Sequence, residues 1–129
     1  IDSPNLKLLM DPTNYFEAHN IDAMDAELNK IFDALSDTIR IAHAKDVKRA
    51  GDDKSEKHAE IDAAESHTYR GVGEIELPAP GLGQLNYGLY LDRLSKHHPN
   101  IPLIIEHLDE CDVPRAKRFV DEKLAAVGC

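Results

Sequence analysis

The sequence has few cysteines and no long apolar segment, and both absences restrict the class of protein that it encodes. Two cysteines, Cys111 and Cys129, among 129 residues are too few for the disulfide framework of a small secreted domain. No apolar run approaches the ~20 residues that a membrane-spanning helix needs, and the first residues show no secretory signal pattern. We therefore expect a cytoplasmic protein with reduced thiols and no membrane contact.

The sequence is also poor in basic residues relative to acidic ones. Its net charge is −9 and its isoelectric point is about 5.1. An acidic surface repels phosphate backbones and anionic lipids, so neither nucleic acid nor membrane is expected as a partner. The composition, 42% hydrophobic and 30% charged, is that of a globular chain, and 129 residues are enough for one domain.

Several motifs that carry well-known chemistry are missing. The sequence contains no G-x-S-x-G nucleophile turn, no C-x-x-C pair and no H-E-x-x-H metalloprotease motif. Its glycine-containing runs do not follow a strand and open a helix with the full G-x-G-x-x-G pattern, which argues against dinucleotide binding. These glycines are interpreted as turn residues.

What the chain does have is an alternation of short apolar runs with helical patterns. Predicted strands, bounded by turn residues, cover Leu6–Met10, Thr38–Ala42 and Ile101–Ile105. Apolar residues at helical spacing predict helices near Ile21–Leu35, Leu85–His97 and Asp112–Val127. Residues 47–83 are interpreted as a long loop. The order β-α-β-loop-α-β-α predicts an α/β fold with a parallel sheet covered by helices.

Each predicted strand stops at a residue that can bind a metal. Asp11 follows the first strand, His43 the second and Glu106 the third. The carboxyl ends of parallel strands lie at one edge of a sheet, so these three side chains are expected to converge. Two carboxylates and one imidazole suit Mn²⁺, Co²⁺, Zn²⁺ or Fe²⁺, and Mg²⁺ less well.

Each of these residues also has a plainer interpretation. Asp11 precedes Pro12 and can satisfy the backbone of a turn, and His43 can be a hydrogen-bonded core histidine. Glu106 is harder to explain in this way, because a carboxylate at the mouth of a buried strand is costly unless it is paired or bound to a metal.

Two neighbouring residues are candidates for substrate binding. Strand alternation places Lys45 on the same side as His43, where its ammonium can reach an anionic or hydroxyl group of a substrate, although a surface ion pair is an equal alternative. Asn14, close after Asp11, can bind substrate or cap the following segment.

With these residues in place, the chain resembles the xylose isomerase-like TIM-barrel superfamily, in its sugar-phosphate isomerase/epimerase branch. Four motifs in order carry the resemblance: Leu8–Asn14, Ile41–Asp46, Pro80–Tyr87 and Pro102–His107. Their order and spacing match the last three β/α units of the family. Residues 1–129 are thus interpreted as the C-terminal three units of a (β/α)₈ barrel, a partial barrel, since a whole barrel has about 250 residues.

The resemblance implies an activity and a set of roles. Asp11, His43 and Glu106 would hold one divalent ion (Mn, Co, Zn or Mg), together with a glutamate from an earlier strand that this sequence lacks. Glu106 would also be the catalytic base of a sugar or sugar-phosphate isomerase or epimerase that works through a cis-enediolate. Arg70 matches a substrate-binding arginine of some relatives.

Because three strands cannot close a barrel, the resemblance also implies a partner, either a missing N-terminal half-barrel chain or a second copy of this chain. The alternative is a catalytically inactive half-barrel that self-associates or pairs with another subunit. Metal-dependent lyases that dehydrate hydroxy acids, and nucleases that act at abasic sites, share the barrel, but the negative charge disfavours a nuclease. The sequence names neither the sugar nor the metal.

Overall fold

The fold was established from a computed structural model, which describes residues 3–51, 69–70 and 74–129, with residues 69–70 described by their backbone alone. In chain order, the strands and helices are β1 (Leu8–Met10), α1 (Met24–Leu35), β2 (Ile39–Ala44), β3 (Lys48–Arg49), β4 (Tyr69–Arg70), β5 (Ile75–Leu77), α2 (Tyr87–His97), β6 (Leu103–Ile105) and α3 (Val113–Ala126). Short 3₁₀ turns lie at Pro12–Tyr15, Ile21–Ala23, Ser36–Thr38 and Glu110–Asp112.

Strands β1, β2 and β6 form a parallel sheet with β2 in the centre. Met10 of β1 pairs with Ala42 of β2, and Ala42 pairs with Leu103 of β6. The three strands therefore end at the same edge of the sheet. In the described part of the chain, this parallel sheet and three α-helices make a mixed α/β fold, as the apolar pattern predicts.

The helices bury one side against the parallel sheet, because their apolar residues recur at helical spacing. The buried residues of α1 are Met24, Leu28, Ile31 and Phe32. Those of α2 are Tyr87, Tyr90, Leu91 and Leu94. On the sheet, the side chains that join this core are Met10, Ile39, Ala42 and Ala44. Ile39 lies on the core face although Ile41 does not, because the pairing of β1 with β2 shifts register between Leu8 and Leu9. The helices thus form a single layer on one face of the sheet.

The opposite face of the parallel sheet is open among the described residues. Leu9 of β1 is 43% exposed, Ile41 of β2 is 36% exposed and Ile104 of β6 is 45% exposed. Leu9 pairs with Ile41, and Ile104 pairs with His43, which alternation places on the same face as Ile41. Parallel sheets are normally covered on both faces, so this apolar face is suited to contact with another layer of protein.

A second sheet lies where a long loop is expected from the sequence. Strands β3, β5 and β4 are antiparallel, in the order β3-β5-β4. Ile75 of β5 is 2% exposed and belongs to the main core, and Lys48 forms an ion pair with Glu76 at 3.2 Å. The expectation of a loop over residues 47–83 is thus wrong for part of that range, because strands of two or three residues are too short to show a period in the sequence.

The predicted element boundaries differ from the observed ones by a few residues. The observed β1 and β6 begin two residues later than predicted, and β2 extends two residues further, through His43 and Ala44. The start of α1 is replaced by the 3₁₀ turn Ile21–Ala23. No helix in the described ranges is both long and apolar enough to span a membrane.

Candidate metal centre

The carboxyl ends of the three parallel strands bring three potential metal ligands together. Asp11 directly follows β1, His43 lies near the end of β2 and Glu106 directly follows β6. Each offers one ligand atom, and these atoms lie within 4.8 Å of one another. His43 Nδ1 is 3.0 Å from Glu106 Oε2 and 3.7 Å from Asp11 Oδ2. The convergence expected from the three strand ends is present.

Asp11 serves the turn and the cluster with different oxygens. Its Oδ1 accepts hydrogen bonds from the backbone N–H of Thr13 at 3.2 Å and from the Thr13 hydroxyl at 2.8 Å. Its Oδ2 faces the cluster and accepts a hydrogen bond from Lys45 Nζ at 2.8 Å. Asp11 therefore stabilises the turn and faces the cluster at the same time. Its bonds to Thr13 hold Oδ1 and so fix the direction in which Oδ2 points.

Lys45 is the cation of this cluster in the structure. Its side chain is 9% exposed, and its Nζ lies 2.8 Å from Asp11 Oδ2 and 2.8 Å from Glu106 Oε2. The residue follows β2 on the same side as His43, as strand alternation predicts. The ammonium therefore bridges two carboxylates that come from different strands.

The ion pairs shift the pKa values of the residues that form them. Burial alone would raise the pKa of Asp11, but hydrogen bonds from Lys45 and Thr13 outweigh it, and the pKa lies below its ordinary value. The contact with the Lys45 ammonium lowers the pKa of Glu106. Burial opposes the charge of Lys45, but its bonds to Asp11 and Glu106 raise its pKa. Both carboxylates and the ammonium are thus charged at neutral pH.

One atom of the cluster, His43 Nδ1, has no hydrogen-bond partner among the described residues. His43 Nδ1 is buried and completes no hydrogen bond of good geometry with any described residue. Glu106 Oε2, 3.0 Å away, is also buried, and its close partner is the Lys45 ammonium at 2.8 Å. Buried polar atoms are nearly always satisfied in folded proteins. An imidazole nitrogen left in this state, beside a carboxylate oxygen that already contacts a cation, is suited to donate its lone pair to a metal ion.

Two tyrosines of α2 hold the end of β2 in place. The Tyr87 hydroxyl donates a hydrogen bond to the carbonyl oxygen of Lys45 at 2.6 Å, and the Tyr90 hydroxyl donates one to that of His43 at 3.0 Å. Both rings are buried, and burial raises the pKa of each hydroxyl, so both remain donors. Their spacing of three marks one helix face in the sequence, but nothing in the sequence indicates which carbonyls they reach.

Asp46 anchors the loop that precedes α2. Its side chain is 1% exposed. The carboxylate accepts hydrogen bonds from four backbone N–H groups, those of Val47, Gly81, Gly83 and Leu85, at 2.8 to 3.0 Å. Burial raises the pKa of Asp46 to about 6, and the four N–H donors oppose that rise. Asp46 thus ties residues 81–85 to the end of β2, directly beside Lys45.

The chain turns sharply after Glu106. His107 has a φ of 61°, in the left-handed region, where residues other than glycine are uncommon and histidine is among the better tolerated. Burial lowers the pKa of His107, and the nearby positive charge of Lys45 lowers it further. Strand β6 ends at Ile105, so Glu106 and His107 both lie beyond the strand.

The other two predicted substrate-binding residues are Asn14 and Arg70. Asn14 is exposed in the 3₁₀ turn after Asp11. Its backbone N–H donates a hydrogen bond to the carbonyl oxygen of Asp11 at 3.3 Å, but its side chain forms no hydrogen bond with the cluster in the described part of the chain. Arg70 lies in β4, where its backbone pairs with Glu76, and its side chain falls outside the described residues. The side chain of Lys45, by contrast, contacts two of the predicted metal ligands, Asp11 and Glu106.

Compared with known proteins, the chain matches no protein-family model, no curated protein sequence and no solved structure. The resemblance to xylose isomerase-like barrels therefore remains an interpretation of four sequence motifs.

Proposed function

We propose that this chain is the C-terminal part of a (β/α)₈ barrel that binds one divalent metal ion and isomerises or epimerises a small sugar or sugar phosphate. The observation that carries the proposal is the meeting of Asp11, His43 and Glu106, with ligand atoms within 4.8 Å, at the carboxyl ends of three parallel strands. Active sites of parallel barrels are built at that edge.

The donor set fits a divalent ion. Two carboxylate oxygens and one imidazole nitrogen are ligands for Mn²⁺, Co²⁺ or Zn²⁺, and His43 Nδ1 is buried without a hydrogen bond to any described residue. In the proposed enzyme, a glutamate from the remaining barrel strands supplies a further ligand. When bound, the ion supplies Lewis-acid polarisation of the carbonyl and hydroxyl oxygens of a sugar.

Glu106 is the proposed catalytic base. Its side chain is 43% exposed, whereas that of Asp11 is 7% exposed, so Glu106 is the carboxylate that a substrate can reach. It takes the proton from the carbon next to the carbonyl. The C–H electron pair forms the C=C bond of a cis-enediolate, and the carbonyl oxygen takes the negative charge.

Return of a proton to the substrate completes the reaction. Isomerisation places it on the former carbonyl carbon, while the proton of the adjacent hydroxyl passes to the former carbonyl oxygen and the new carbonyl forms at the deprotonated carbon. Epimerisation requires a proton from the opposite face, which the second glutamate of the whole barrel would supply. Asn14, Lys45 and Arg70 are the proposed contacts to the hydroxyl or phosphate groups of the substrate.

The open face of the parallel sheet supports the barrel part of the proposal. In a (β/α)₈ barrel, helices cover the outer side of the strands and apolar side chains fill the interior. The helices of this chain lie on one face, while Leu9, Ile41 and Ile104 line the other. His43 shares that inner face, so the cluster lies at the carboxyl end of what would be the barrel interior.

Metal binding tests the first half of the proposal. Isothermal titration with Mn²⁺ is expected to show about one site per chain, and Glu106→Gln is expected to weaken binding by roughly tenfold or more. Glu110→Gln is the matched control, because Glu110 is exposed four residues further along the chain. Equal affinity in all three proteins, or no binding by the wild type, would refute the metal site.

Proton exchange tests the second half. The purified protein, together with any chain that copurifies with it, is incubated in D₂O with aldoses, ketoses and their phosphates. Deuterium is expected to enter the carbon beside the carbonyl, and Glu106→Gln is expected to abolish this exchange. Exchange that continues unchanged after exhaustive removal of metal would refute a metal-dependent isomerase.

The second candidate function is a catalytically inactive half-barrel that pairs with itself or with another subunit. The exposed apolar residues Leu9, Ile41 and Ile104 favour it, since a surface of this kind is suited to association. Intact mass and metal content measured together distinguish the two functions. A metal-free oligomer of this chain alone supports the second, and a complex that carries about one metal ion per site supports the first.

A further inference from the structure

The position of Lys45 relative to the two carboxylates is not that of a surface lysine. Its side chain is 9% exposed, and its Nζ contacts Asp11 Oδ2 and Glu106 Oε2, both at 2.8 Å. These atoms belong to the ligand residues of the candidate metal centre, and His43 Nδ1 is 3.0 Å from the same Glu106 oxygen. The ammonium therefore lies where a cation shared by Asp11 and Glu106 would lie.

An ammonium and a divalent ion cannot both hold these oxygens in this arrangement. Metal–oxygen bonds to Mn²⁺ or Zn²⁺ are about 2.0–2.2 Å long, so an ion on Asp11 Oδ2 and Glu106 Oε2 would lie in contact with Nζ. Two positive charges at that separation repel strongly, because the Lys45 side chain is 9% exposed and water screens its charge little. Without any cation, however, the two carboxylates would repel each other in the same way.

We propose that Lys45 is an internal counter-cation, which holds Asp11 and Glu106 together in the metal-free protein and must be displaced when a divalent ion binds. The inference rests on the proposed function, because it concerns the same site. It means that metal binding is an exchange of one cation for another. The apparent metal affinity is thus lower than the three ligands alone would produce, and the displaced ammonium becomes free to contact a substrate.

The anchoring of Lys45 supports an exchange of the side chain without movement of the strand. Its carbonyl oxygen accepts a hydrogen bond from the Tyr87 hydroxyl at 2.6 Å, and the next residue, Asp46, is fixed by four backbone N–H groups. The flexible part of Lys45 is the four-carbon stem, which carries the ammonium on rotatable bonds. The ligand residues keep their positions while that stem moves.

The test compares the Mn²⁺ affinity of the wild type with that of Lys45→Met, which keeps the length of the stem and removes the charge. Lys48→Met is the control, because Lys48 pairs with Glu76 in the second sheet and not with the cluster. We expect Lys45→Met to bind Mn²⁺ at least tenfold more tightly than the wild type, and Lys48→Met to bind like the wild type. Lys45→Gln, with a polar neutral head, replaces Lys45→Met if the methionine variant does not fold in the absence of metal.

Thermal unfolding gives a second readout. In excess chelator, Lys45→Met is expected to unfold at a lower temperature than the wild type, because the two carboxylates have lost their counter-ion. In saturating Mn²⁺, the difference is expected to disappear or reverse. Lys48→Met is expected to show the same difference from the wild type under both conditions.

The outcomes separate this inference from the proposed function. Wild-type binding of Mn²⁺ with equal or weaker binding by the Lys45 variants would overturn the counter-cation role and leave the metal site standing. Binding by the Lys45 variants alone would support the counter-cation role and refute metal binding by the natural chain. Absence of binding by all of these proteins would overturn both.

Discussion

At the scale of single residues, Asp46 is the buried group on which the geometry beside the site most depends. Its carboxylate accepts four backbone N–H hydrogen bonds. Asp46→Asn turns one acceptor oxygen into an NH₂ group that faces N–H donors. We expect the free energy of unfolding, measured by urea denaturation, to fall by about 2–4 kcal/mol. Exposed Asp37→Asn is the control and should change it by less than about 0.5 kcal/mol.

The ionisation of Asp46 also predicts a pH dependence. Burial raises its pKa from the ordinary value of 3.8 to about 6 in the folded chain. Between these values the folded state holds a proton that the unfolded state has released, so stability falls as the pH rises. From about pH 4 to pH 6, the wild type should lose roughly 3 kcal/mol of stability relative to Asp46→Asn, since one pKa unit corresponds to about 1.4 kcal/mol.

This prediction is checked by urea denaturation of both proteins at closely spaced pH values. The difference in the free energy of unfolding between the two proteins isolates Asp46, because the other titrating groups are common to both and contribute equally. A difference that is constant between pH 4 and 6, or that grows in favour of the wild type as the pH rises, would show that the four N–H donors outweigh burial and keep Asp46 ionised.

At the scale of elements, helix α2 links the core to the candidate site. It buries Leu91 and Leu94 under the sheet while Tyr87 and Tyr90 hold the carbonyl oxygens at the end of β2. The loop before α2 is held to the same strand by Asp46. The end of β2 is therefore fixed from two sides, which is what a site needs if its ligands are to keep their geometry.

Two glycines near the start of α2 should respond in opposite directions to substitution by alanine. A Cβ at Gly83 would overlap Asp46 Oδ1 and lie 2.7 Å from the carbonyl oxygen of Val47, so Gly83→Ala should cost about 1–3 kcal/mol of stability. A Cβ at Gly88, inside α2, would meet Asn86 Oδ1 at an ordinary 3.5 Å. Gly88→Ala should therefore stabilise the chain by up to about 1 kcal/mol through helix propensity.

Thermal unfolding of the two alanine variants measures both effects in one experiment. Because Gly83 contacts Asp46, the double variant Gly83→Ala/Asp46→Asn should cost less than the sum of the single changes. Strict additivity of the two changes would contradict the assigned contact.

At the scale of the whole molecule, the open sheet face should govern association. In the isolated chain, Leu9, Ile41 and Ile104 expose apolar surface, while a net charge of −9 keeps chains apart. We expect self-association that strengthens with salt, because salt screens the repulsion. The double variant Ile41→Thr/Ile104→Thr should weaken it at equal concentration, as measured by sedimentation velocity.

Val113→Thr is the matched control for that experiment. Val113 is 42% exposed at the start of α3, away from the open face of the sheet. Its substitution should leave association unchanged. If both variants associate like the wild type, the open face is not the contact surface.

Most of the parallel α/β unit could be predicted from local pattern. Each of β1, β2 and β6 is a short apolar run between turn residues, and each helix repeats its apolar residues at a period near 3.6. Each of these patterns lies within a dozen neighbouring residues, so it can be recognised in the sequence without knowledge of the fold. The second sheet could not be predicted from such patterns. Its strands β3 and β4 have two residues each, which is too short for a recognisable period, and their partner in the sheet is β5.

By itself, the sequence determined the class of fold and the meeting of Asp11, His43 and Glu106, because parallel strands must bring their carboxyl ends to one edge. Only the tertiary structure decided what surrounds those three residues. The contact of Lys45 with both carboxylates, the four N–H groups on Asp46 and the tyrosine hydroxyls on β2 join residues that are up to 61 positions apart in the chain. Such contacts depend on angles and distances between packed elements, which no local pattern of residues encodes.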